Sequence, residues 1–152
     1  MAFKAKRPVI ISIQPEPVEE ILAGRKTWEN GRGLIRDCNC FVIYRSREDR
    51  GIVAVAEIDE VKPSKKFAGC YDYHIVKVYV FKEGKLSLDT AFENTTIKRK
   101  FKAPEAFTYL RELDIKKWTP ETEAVAAEAV KILLKTHPYK IVYPKEPKEQ
   151  DK

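Results

Sequence analysis

Long apolar runs are missing from this sequence of 152 residues. No stretch approaches the roughly 18 consecutive apolar residues that a membrane-spanning helix requires, so we expect no membrane partner. The first eight residues carry three positive charges, but they lead into the β-branched run Val9–Ile13 instead of an apolar segment with a cleavage site. We therefore expect a cytoplasmic protein.

Cysteine is also scarce, with only Cys38, Cys40 and Cys70. An odd number of thiols in a chain without secretion signals argues against a disulfide framework. These three thiols and His74 are the residue types that hold zinc. However, Cys-x-Cys is less typical of zinc sites than Cys-x-x-Cys, and His74 falls where a strand begins. We therefore predict no metal and no other cofactor. Whether Cys38, Cys40, Cys70 and His74 bind a metal ion is a question that the sequence leaves open.

Positive charge exceeds negative charge by six, from 29 Lys and Arg against 23 Asp and Glu. The excess comes from the first eight residues and from the run 97–102, which holds an aromatic residue between cations. Clustered cations on a folded domain favour a polyanionic partner such as RNA, whereas the alternative is an ordinary solvated, lysine-rich surface. The last nine residues, 144–152, balance their charges, and we expect them to be disordered.

Four segments have the composition of strands. Val9–Ile13 and residues 40–44 are short β-branched or apolar runs. Residues 51–61 begin apolar on both faces, as in a closed or covered sheet, and residues 73–82 form a long alternating strand that ends at a Glu83-Gly84 turn. Residues 139–143 add an edge strand.

Three segments have helix signals. A helix follows Pro15, buries Val18, Ile21 and Leu22, and ends at Gly24, which is free to adopt positive φ. A second helix is predicted over residues 103–113, with Phe107, Leu110 and Leu113 on one side. The third begins with a Thr119 cap, covers about residues 120–136, and stops before Pro138. Its predicted core face consists of Val125, Ala129, Ile132 and Leu133.

These elements predict an α+β fold, a small mixed β-barrel of five to six strands with two to three peripheral helices. We find no internal repeat and expect a single domain over residues 1–143, monomeric by default.

The order strand, short helix, Gly-x-Lys-x-x-Glu and strand resembles the ASCH domains of the PUA-like superfamily. Gly24, Lys26 and Glu29 match this motif, and Arg32 lies one residue later than the arginine that often follows it. The next strand, over residues 40–46, ends in a tyrosine and a serine as in the family, and residues 51–61 resemble the strand after it. Residues 102–107 resemble a late Pro-x-x-Phe helix of some members. The resemblance covers residues 9–113, and the helix near Thr119 is an addition.

The resemblance implies a groove that binds RNA or a nucleotide. Lys26 follows a helix end whose free carbonyls favour a cation, and Glu29 lies three residues on, so a regular strand would send the two to opposite faces. Both line one groove if the strand has not yet begun at Lys26, or bulges at Trp28. The alternative is an ordinary surface ion pair. Aromatic rings at Trp28, Tyr44 and Phe101 are candidates for base stacking, with core packing as the alternative for Trp28 and Tyr44. The predicted nucleic-acid-binding residues are Gln14, Lys26, Trp28, Glu29, Arg32, Tyr44, Arg45, Ser46, Lys98, Arg99 and Lys100, and Arg47 and Lys102 are further candidates for phosphates.

Two other functions remain open. Some members of the superfamily are amidohydrolases acting on a modified nucleoside through the motif lysine, a threonine and a distant glutamate. Lys26 matches the lysine, but Glu29 stands where that threonine falls, and Thr27 is one step from the lysine. A small hydrolase, either an amidohydrolase or a ribonuclease, would use Lys26 and Glu29 for proton transfer. The other alternative is a protein-interaction module.

Overall fold

A computed structural model describes residues 3–112 and 117–145. Its elements, in chain order, are β1 (Val9–Ile13), α1 (Pro15–Leu22), β2 (Trp28–Arg32), β3 (Cys40–Arg45), β4 (Gly51–Pro63), β5 (Cys70–Phe81), β6 (Phe107–Tyr109), α2 (Pro120–Thr136) and β7 (Tyr139–Val142). Within these ranges no helix is both long enough and apolar enough to cross a bilayer.

The strands form one curled, mixed sheet in the order β2-β5-β4-β3-β1-β6, a half-barrel that confirms the predicted α+β fold. Only β1 and β3 are parallel; the other pairs are antiparallel. β2 and β7 share one edge of β5, where β2 pairs with residues 70–74 and β7 with residues 78–81. Register shifts near Ile58 bend the long β4–β5 pair, as bulges do, and this bend curls the sheet.

Apolar side chains pack on both faces of the sheet. α2 and the 86–101 segment cover one face, and α1 covers the other. Residues 52–56 of β4 are fully buried and divide between the two clusters, which explains why that segment is apolar throughout.

The end of α1 has the geometry of a Schellman motif. Gly24 has φ of 76°, its N–H donates to the carbonyl of Ile21, and the N–H of Arg25 donates to the carbonyl of Glu20. This confirms the predicted helix end. A Cβ on Gly24 would lie 2.9 Å from Cγ1 of Val142, so β7 packs directly against the turn.

Helix α2 begins at the predicted cap. The Thr119 hydroxyl accepts from the Thr122 N–H at 3.1 Å, and the Thr122 hydroxyl accepts from the Thr119 N–H at 2.8 Å. The buried face is rotated slightly from the predicted one, because Val125 and Ile132 are only half-buried. The buried residues are Ala126, Ala129, Val130 and Leu133.

The predicted helix over residues 103–113 is wrong. This segment instead supplies β6, which pairs antiparallel with β1, and Leu113 lies outside the described residues. β1 has an open edge there, so Ser12 donates its N–H to the Ala106 carbonyl and Leu110 donates to the Pro8 carbonyl. Satisfying these backbone groups across the sheet outweighs the weak local helix pattern. The strand near 139–143 is confirmed as β7. Of the predicted disordered tail, residues 146–152 lie outside the described residues.

Candidate nucleic-acid interface

The motif residues Lys26 and Glu29 form an ion pair, with Nζ of Lys26 2.9 Å from Oε1 of Glu29. β2 begins at Trp28, so the chain is not yet a strand at Lys26, and both side chains reach the same place. Their environments differ, because 29% of the Lys26 side chain is exposed but only 7% of the Glu29 side chain. The lysine thus neutralises a carboxylate that would otherwise be buried without a counter-charge.

A shallow hollow of about 320 Å³ lies over this pair at the C-terminal end of α1. Glu29 is buried and does not line the hollow. Arg25 donates from Nε to Oε2 of Glu20 at 2.7 Å, and this hydrogen bond lowers the pKa of Glu20. The lining residues are Glu20, Arg25, Lys26, Thr27 and Trp28.

The Trp28 ring already has protein neighbours. Its centroid is 4.6 Å from that of the His74 ring, its cross-strand partner on β5, and the Lys62 ammonium lies 4.2 Å from the ring centroid. Nδ1 of His74 is 2.7 Å from the Asp59 carboxylate. These contacts favour packing over base stacking for Trp28. Arg32 is exposed at the far end of β2 and does not line the hollow.

A second and larger depression lies at the opposite end of α1. It consists of two adjoining hollows, about 510 Å³ and about 340 Å³, which share Tyr44, Arg50 and Ala103. We call it the basic groove, and its polar and charged lining residues are Ser12, Gln14, Tyr44, Ser46, Arg47, Arg50, Lys85, Ser87, Asp89, Lys102 and Glu105.

The parallel pairing of β1 and β3 builds this groove. Parallel strands end at the same edge, so Gln14 after β1 and Ser46 after β3 come together. The Ser46 N–H donates to the Ile13 carbonyl at 2.9 Å, and the Ser12 hydroxyl donates to the Pro104 carbonyl at 2.6 Å. These bonds fix the ends of both strands against the loop after residue 101.

Three cations of the basic groove have no acidic partner among the residues described. Within residues 3–112 and 117–145, no carboxylate lies within 4.0 Å of the charged groups of Arg47, Arg50 or Lys102. All three are exposed. The groove therefore offers uncompensated positive charge beside hydroxyl and amide groups, which suits a phosphate-bearing ligand.

Two other cations at this end are paired, and both contact Asp49. Arg45 is 2.7 Å from the Asp49 carboxylate and 3.6 Å from that of Glu19, and 11% of its side chain is exposed. Lys85 also binds Asp49, and its hydrogen bond lowers the pKa of that carboxyl. Arg45 was predicted as a nucleic-acid contact; in the structure it anchors the β3–β4 loop that carries Arg47 and Arg50.

In the run 98–100, two side chains are exposed to solvent and the third is bonded to the protein backbone. Lys98 and Lys100 are exposed, whereas the Arg99 guanidinium donates to the carbonyls of Tyr109 and Arg111. Phe101 is buried, and the Arg99 guanidinium lies 4.7 Å from its ring centroid. Phe101 therefore packs in the core and contributes only part of its surface to the groove.

The candidate zinc ligands do not assemble in the part of the chain that the structure describes, where no three His, Cys, Asp or Glu side chains are grouped as a metal site. Cys40 is fully buried, and the Cys38 thiol donates to the Cys40 carbonyl at 3.2 Å. Burial raises the pKa of Cys38 to about 12 and raises that of Cys40 well above its usual value. Cys70 and His74 are four residues apart on the extended strand β5, which separates them, whereas the zinc interpretation needed a helix there.

The predicted site residues thus divide among three places. Gln14, Tyr44 and Ser46 line the basic groove; Lys26 and Trp28 line the hollow at the other end of α1; and the run 98–100 lines a third depression. Sequence reasoning missed Ser12, Arg50 and Lys85. The density of charge between β3 and β4 is the one signal that could have indicated Arg50.

The curled sheet and its two described helices define the class of the protein, a small α+β half-barrel. Within that class, the chain has the fold of ASCH crystal structures from Zymomonas mobilis, which confirms the resemblance to ASCH domains at the level of the fold. A serine-to-alanine mutant of that protein is 18% identical, with a TM-score of 0.61, over 90% of this chain and 100% of the other. A tyrosine-to-phenylalanine mutant is 17% identical, with a TM-score of 0.59, over 88% of this chain and 100% of the other. The ASCH structure without a stated mutation is 17% identical, with a TM-score of 0.55, over 87% of this chain and 96% of the other.

No protein-family model matches the sequence, and comparison with curated proteins finds no significant match. At these identities the solved structures establish the fold alone.

Proposed function

We propose that this protein binds RNA or a nucleotide, and that the phosphates lie in the basic groove. One observation carries the proposal: Arg47, Arg50 and Lys102 surround the groove without acidic partners among the described residues. Cations without a carboxylate partner bind phosphate at little cost, since no existing ion pair has to break.

The polar residues of the groove suit the rest of a nucleotide. Gln14 offers an amide donor and acceptor, and Ser46 offers a hydroxyl, at the edge where β1 and β3 end. Such groups recognise base edges and the ribose 2′-hydroxyl, which distinguishes RNA from DNA. Tyr44, whose ring packs in the core, contributes to both hollows and would contact the ligand between them.

The Gly-x-Lys-x-x-Glu motif supplies a second proposed contact for the same class of ligand. Lys26 is half-buried in its hollow, and the buried Glu29 holds its ammonium in place. α1 is about 12 Å long, and its exposed residues include Glu16, Glu19 and Glu20. Because these carboxylates repel phosphates, a single strand would not follow α1 from one site to the other. Lys26 would therefore contact a separate phosphate or nucleoside.

Hydrolysis of a modified nucleoside or RNA is the second candidate function, and the 2.9 Å contact between Lys26 and Glu29 is what favours it. At this distance the Glu29 carboxylate can accept a proton from the Lys26 ammonium and return it, so that Lys26 could exchange a proton with a substrate. The test is chromatography of a panel of nucleosides and RNAs, in which a product appears with the native protein and disappears with Lys26→Ala.

A protein-interaction module is less well supported at the groove. Such a site needs an exposed apolar patch. Within the described residues, the large apolar side chains that are exposed all lie outside the basic groove; they are Leu34, Val61, Phe67, Ile141 and Tyr143.

The experiment that tests RNA binding is a fluorescence anisotropy titration with fluorescein-labelled single-stranded RNA. The triple variant Arg47→Ala, Arg50→Ala, Lys102→Ala should weaken binding at least tenfold, because each substitution removes a favourable electrostatic interaction with a phosphate. The matched control is Lys65→Ala, Lys66→Ala, Lys82→Ala, which removes the same charge from exposed positions outside the groove. Equal weakening by both variants would show that only net charge matters, and absence of binding to the native protein would reject the function.

A further inference from the structure

Arg111, just after β6, lies beside two aromatic rings, those of Tyr109 and Trp118, and neither hollow of the basic groove includes these residues. The Arg111 guanidinium is 4.7 Å from the Tyr109 ring centroid and 5.1 Å from the Trp118 ring centroid. The two rings meet edge to face, with centroids 5.7 Å apart. We call Tyr109, Arg111 and Trp118 the arginine–aromatic platform.

The platform is linked to the basic groove through a third hollow and a hydrogen bond of Arg99. A further hollow of about 210 Å³, lined by Lys98, Arg99 and Lys100, shares Leu88, Asp89 and Phe101 with the larger hollow of the groove. The Arg99 guanidinium then donates to the carbonyl of Arg111 at 3.1 Å. A series of contacts thus leads from the groove, past the exposed Lys98 and Lys100, to the platform.

The path carries both signs of charge, with cations slightly in excess: Lys98, Arg99, Lys100 and Arg111 against Asp89, Glu93 and Glu112. Within the described residues, Arg111 has no carboxylate within 4.0 Å, and Glu112 beside it accepts a hydrogen bond from the Lys98 N–H at 2.6 Å. Asp89 and Glu93 line the intermediate hollow and oppose phosphate there. A guanidinium that lies against aromatic rings keeps its in-plane N–H groups available, and its plane can also support a base.

We infer that the arginine–aromatic platform is a stacking site for a base of single-stranded RNA, so that the ligand is a strand of several nucleotides and not a mononucleotide. This inference rests on the proposed function, because the platform extends a strand whose phosphates lie in the basic groove. Stacking on aromatic rings and guanidinium planes tolerates any base, so the platform would add affinity without sequence preference. The competing explanation is that Arg111 and Trp118 only pack against each other and Tyr109.

The test uses two labelled RNAs of about 4 and about 12 nucleotides, within the range that small barrel domains bind. Trp118→Ala should weaken binding of the longer RNA at least about fivefold and change binding of the shorter one by less than about twofold. The control is Tyr143→Ala, which removes an exposed aromatic ring elsewhere on the surface. Arg111→Lys keeps the charge but removes the planar group, and should reproduce part of the loss of affinity for the longer RNA.

A spectroscopic readout separates stacking from packing. The chain has two tryptophans, so Trp118 is the only one in Trp28→Phe. In that variant, addition of the longer RNA should quench the fluorescence of Trp118, whereas a residue that only packs would show no change. This readout does not depend on whether Trp118→Ala folds.

The outcomes distinguish the two proposals. If the native protein binds both RNAs equally and Trp118 fluorescence does not change, the platform is structural and the inference is wrong, while the proposed function stands. If the native protein binds neither RNA, both proposals fail.

Discussion

The ammonium of Lys26 lies 2.9 Å from the carboxylate of Glu29, and the two side chains differ fourfold in exposure, 29% against 7%. The contact exists because β2 begins two residues after Lys26, so the lysine can turn towards the inward-facing Glu29. Water can therefore solvate the Lys26 ammonium if the pair is broken, whereas the buried Glu29 carboxylate would lose its counter-charge.

This asymmetry predicts a specific order of stabilities. Lys26→Ala should lower the free energy of unfolding by about 1–2 kcal/mol, since it leaves a buried carboxylate without its counter-charge, though the half-buried lysine makes this smaller than for a fully buried pair. Adding Glu29→Gln to Lys26→Ala should restore part of that stability, because the amide carries no charge. Urea unfolding followed by circular dichroism measures both, and a double variant less stable than Lys26→Ala would contradict this explanation of the pair.

Gly24 is predicted to resist substitution more strongly than Gly84. Both have positive φ, 76° and 86°, so alanine at either position incurs the left-handed penalty of about 1–2 kcal/mol. Only at Gly24 would the new Cβ meet another atom closely, Cγ1 of Val142 at 2.9 Å, whereas nothing lies within 4 Å at Gly84. Thermal unfolding should therefore show a lower midpoint for Gly24→Ala than for Gly84→Ala. Equal midpoints would mean that β7 moves away without cost.

Two of the three thiols should be unreactive in the native state. Cys40 is fully buried; Cys38 and Cys70 are both half-buried, but burial raises the pKa of Cys38 to about 12. Because the thiolate is the reacting species, iodoacetamide at about pH 8 should modify Cys70 first and the other two only after unfolding. Peptide mass spectrometry locates the modified residues, and early modification of Cys38 would show that its surroundings open.

The same burial gives a pH dependence of stability. In the unfolded chain these thiols ionise near pH 9, whereas in the folded protein the pKa of Cys38 is about 12. This contribution to stability is therefore intact below pH 9 and is lost as pH rises towards 12. Cys38→Ala should show a shallower decrease of the thermal midpoint over that range than the native protein, and an identical decrease would assign the effect to other groups.

Local sequence signals predicted much of the fold. The β-branched run of β1, the Gly24 end of α1 and the Thr119 cap of α2 are each specified by nearby residues, and each is confirmed. The prediction of a helix for the segment with Pro104 and Phe107 is wrong. This segment forms a strand because it pairs with the open edge of β1, which is far away in sequence. A short segment with few local preferences takes the structure that its long-range partner requires.

The candidate site was predicted only in part, because its assembly also depends on long-range partners. Gln14, Tyr44 and Ser46, which were predicted from the family resemblance, come together because β1 and β3 are parallel, a pairing that the sequence analysis did not predict. Lys26 was expected in the same groove, but the length of α1 puts its hollow at the other end of the helix. The pairing of Arg45 with Asp49, and the absence of such a partner for Arg50 among the described residues, depend on how the β3–β4 loop folds. A run of charges does not specify such a loop.

Salt dependence distinguishes phosphate binding from other kinds of binding. For single-stranded RNA, the slope of log K against log salt concentration should become shallower by about 0.7 for each phosphate that the protein no longer neutralises. The triple variant Arg47→Ala, Arg50→Ala, Lys102→Ala should therefore have a slope about 2 smaller in magnitude than that of the native protein. An unchanged slope with weaker binding would mean that these residues act on the shape of the groove and not on phosphates.

The most direct measurement of the central claim is a ¹H–¹⁵N correlation titration of the native protein with a short single-stranded RNA. We predict that the largest amide shifts fall on Gln14, Ser46 and Ala103 in the basic groove, and that these shifts are absent in the triple variant. Shifts confined to residues 25–29 would place the ligand at the other end of α1, and no shift at saturating RNA would contradict the proposed function itself.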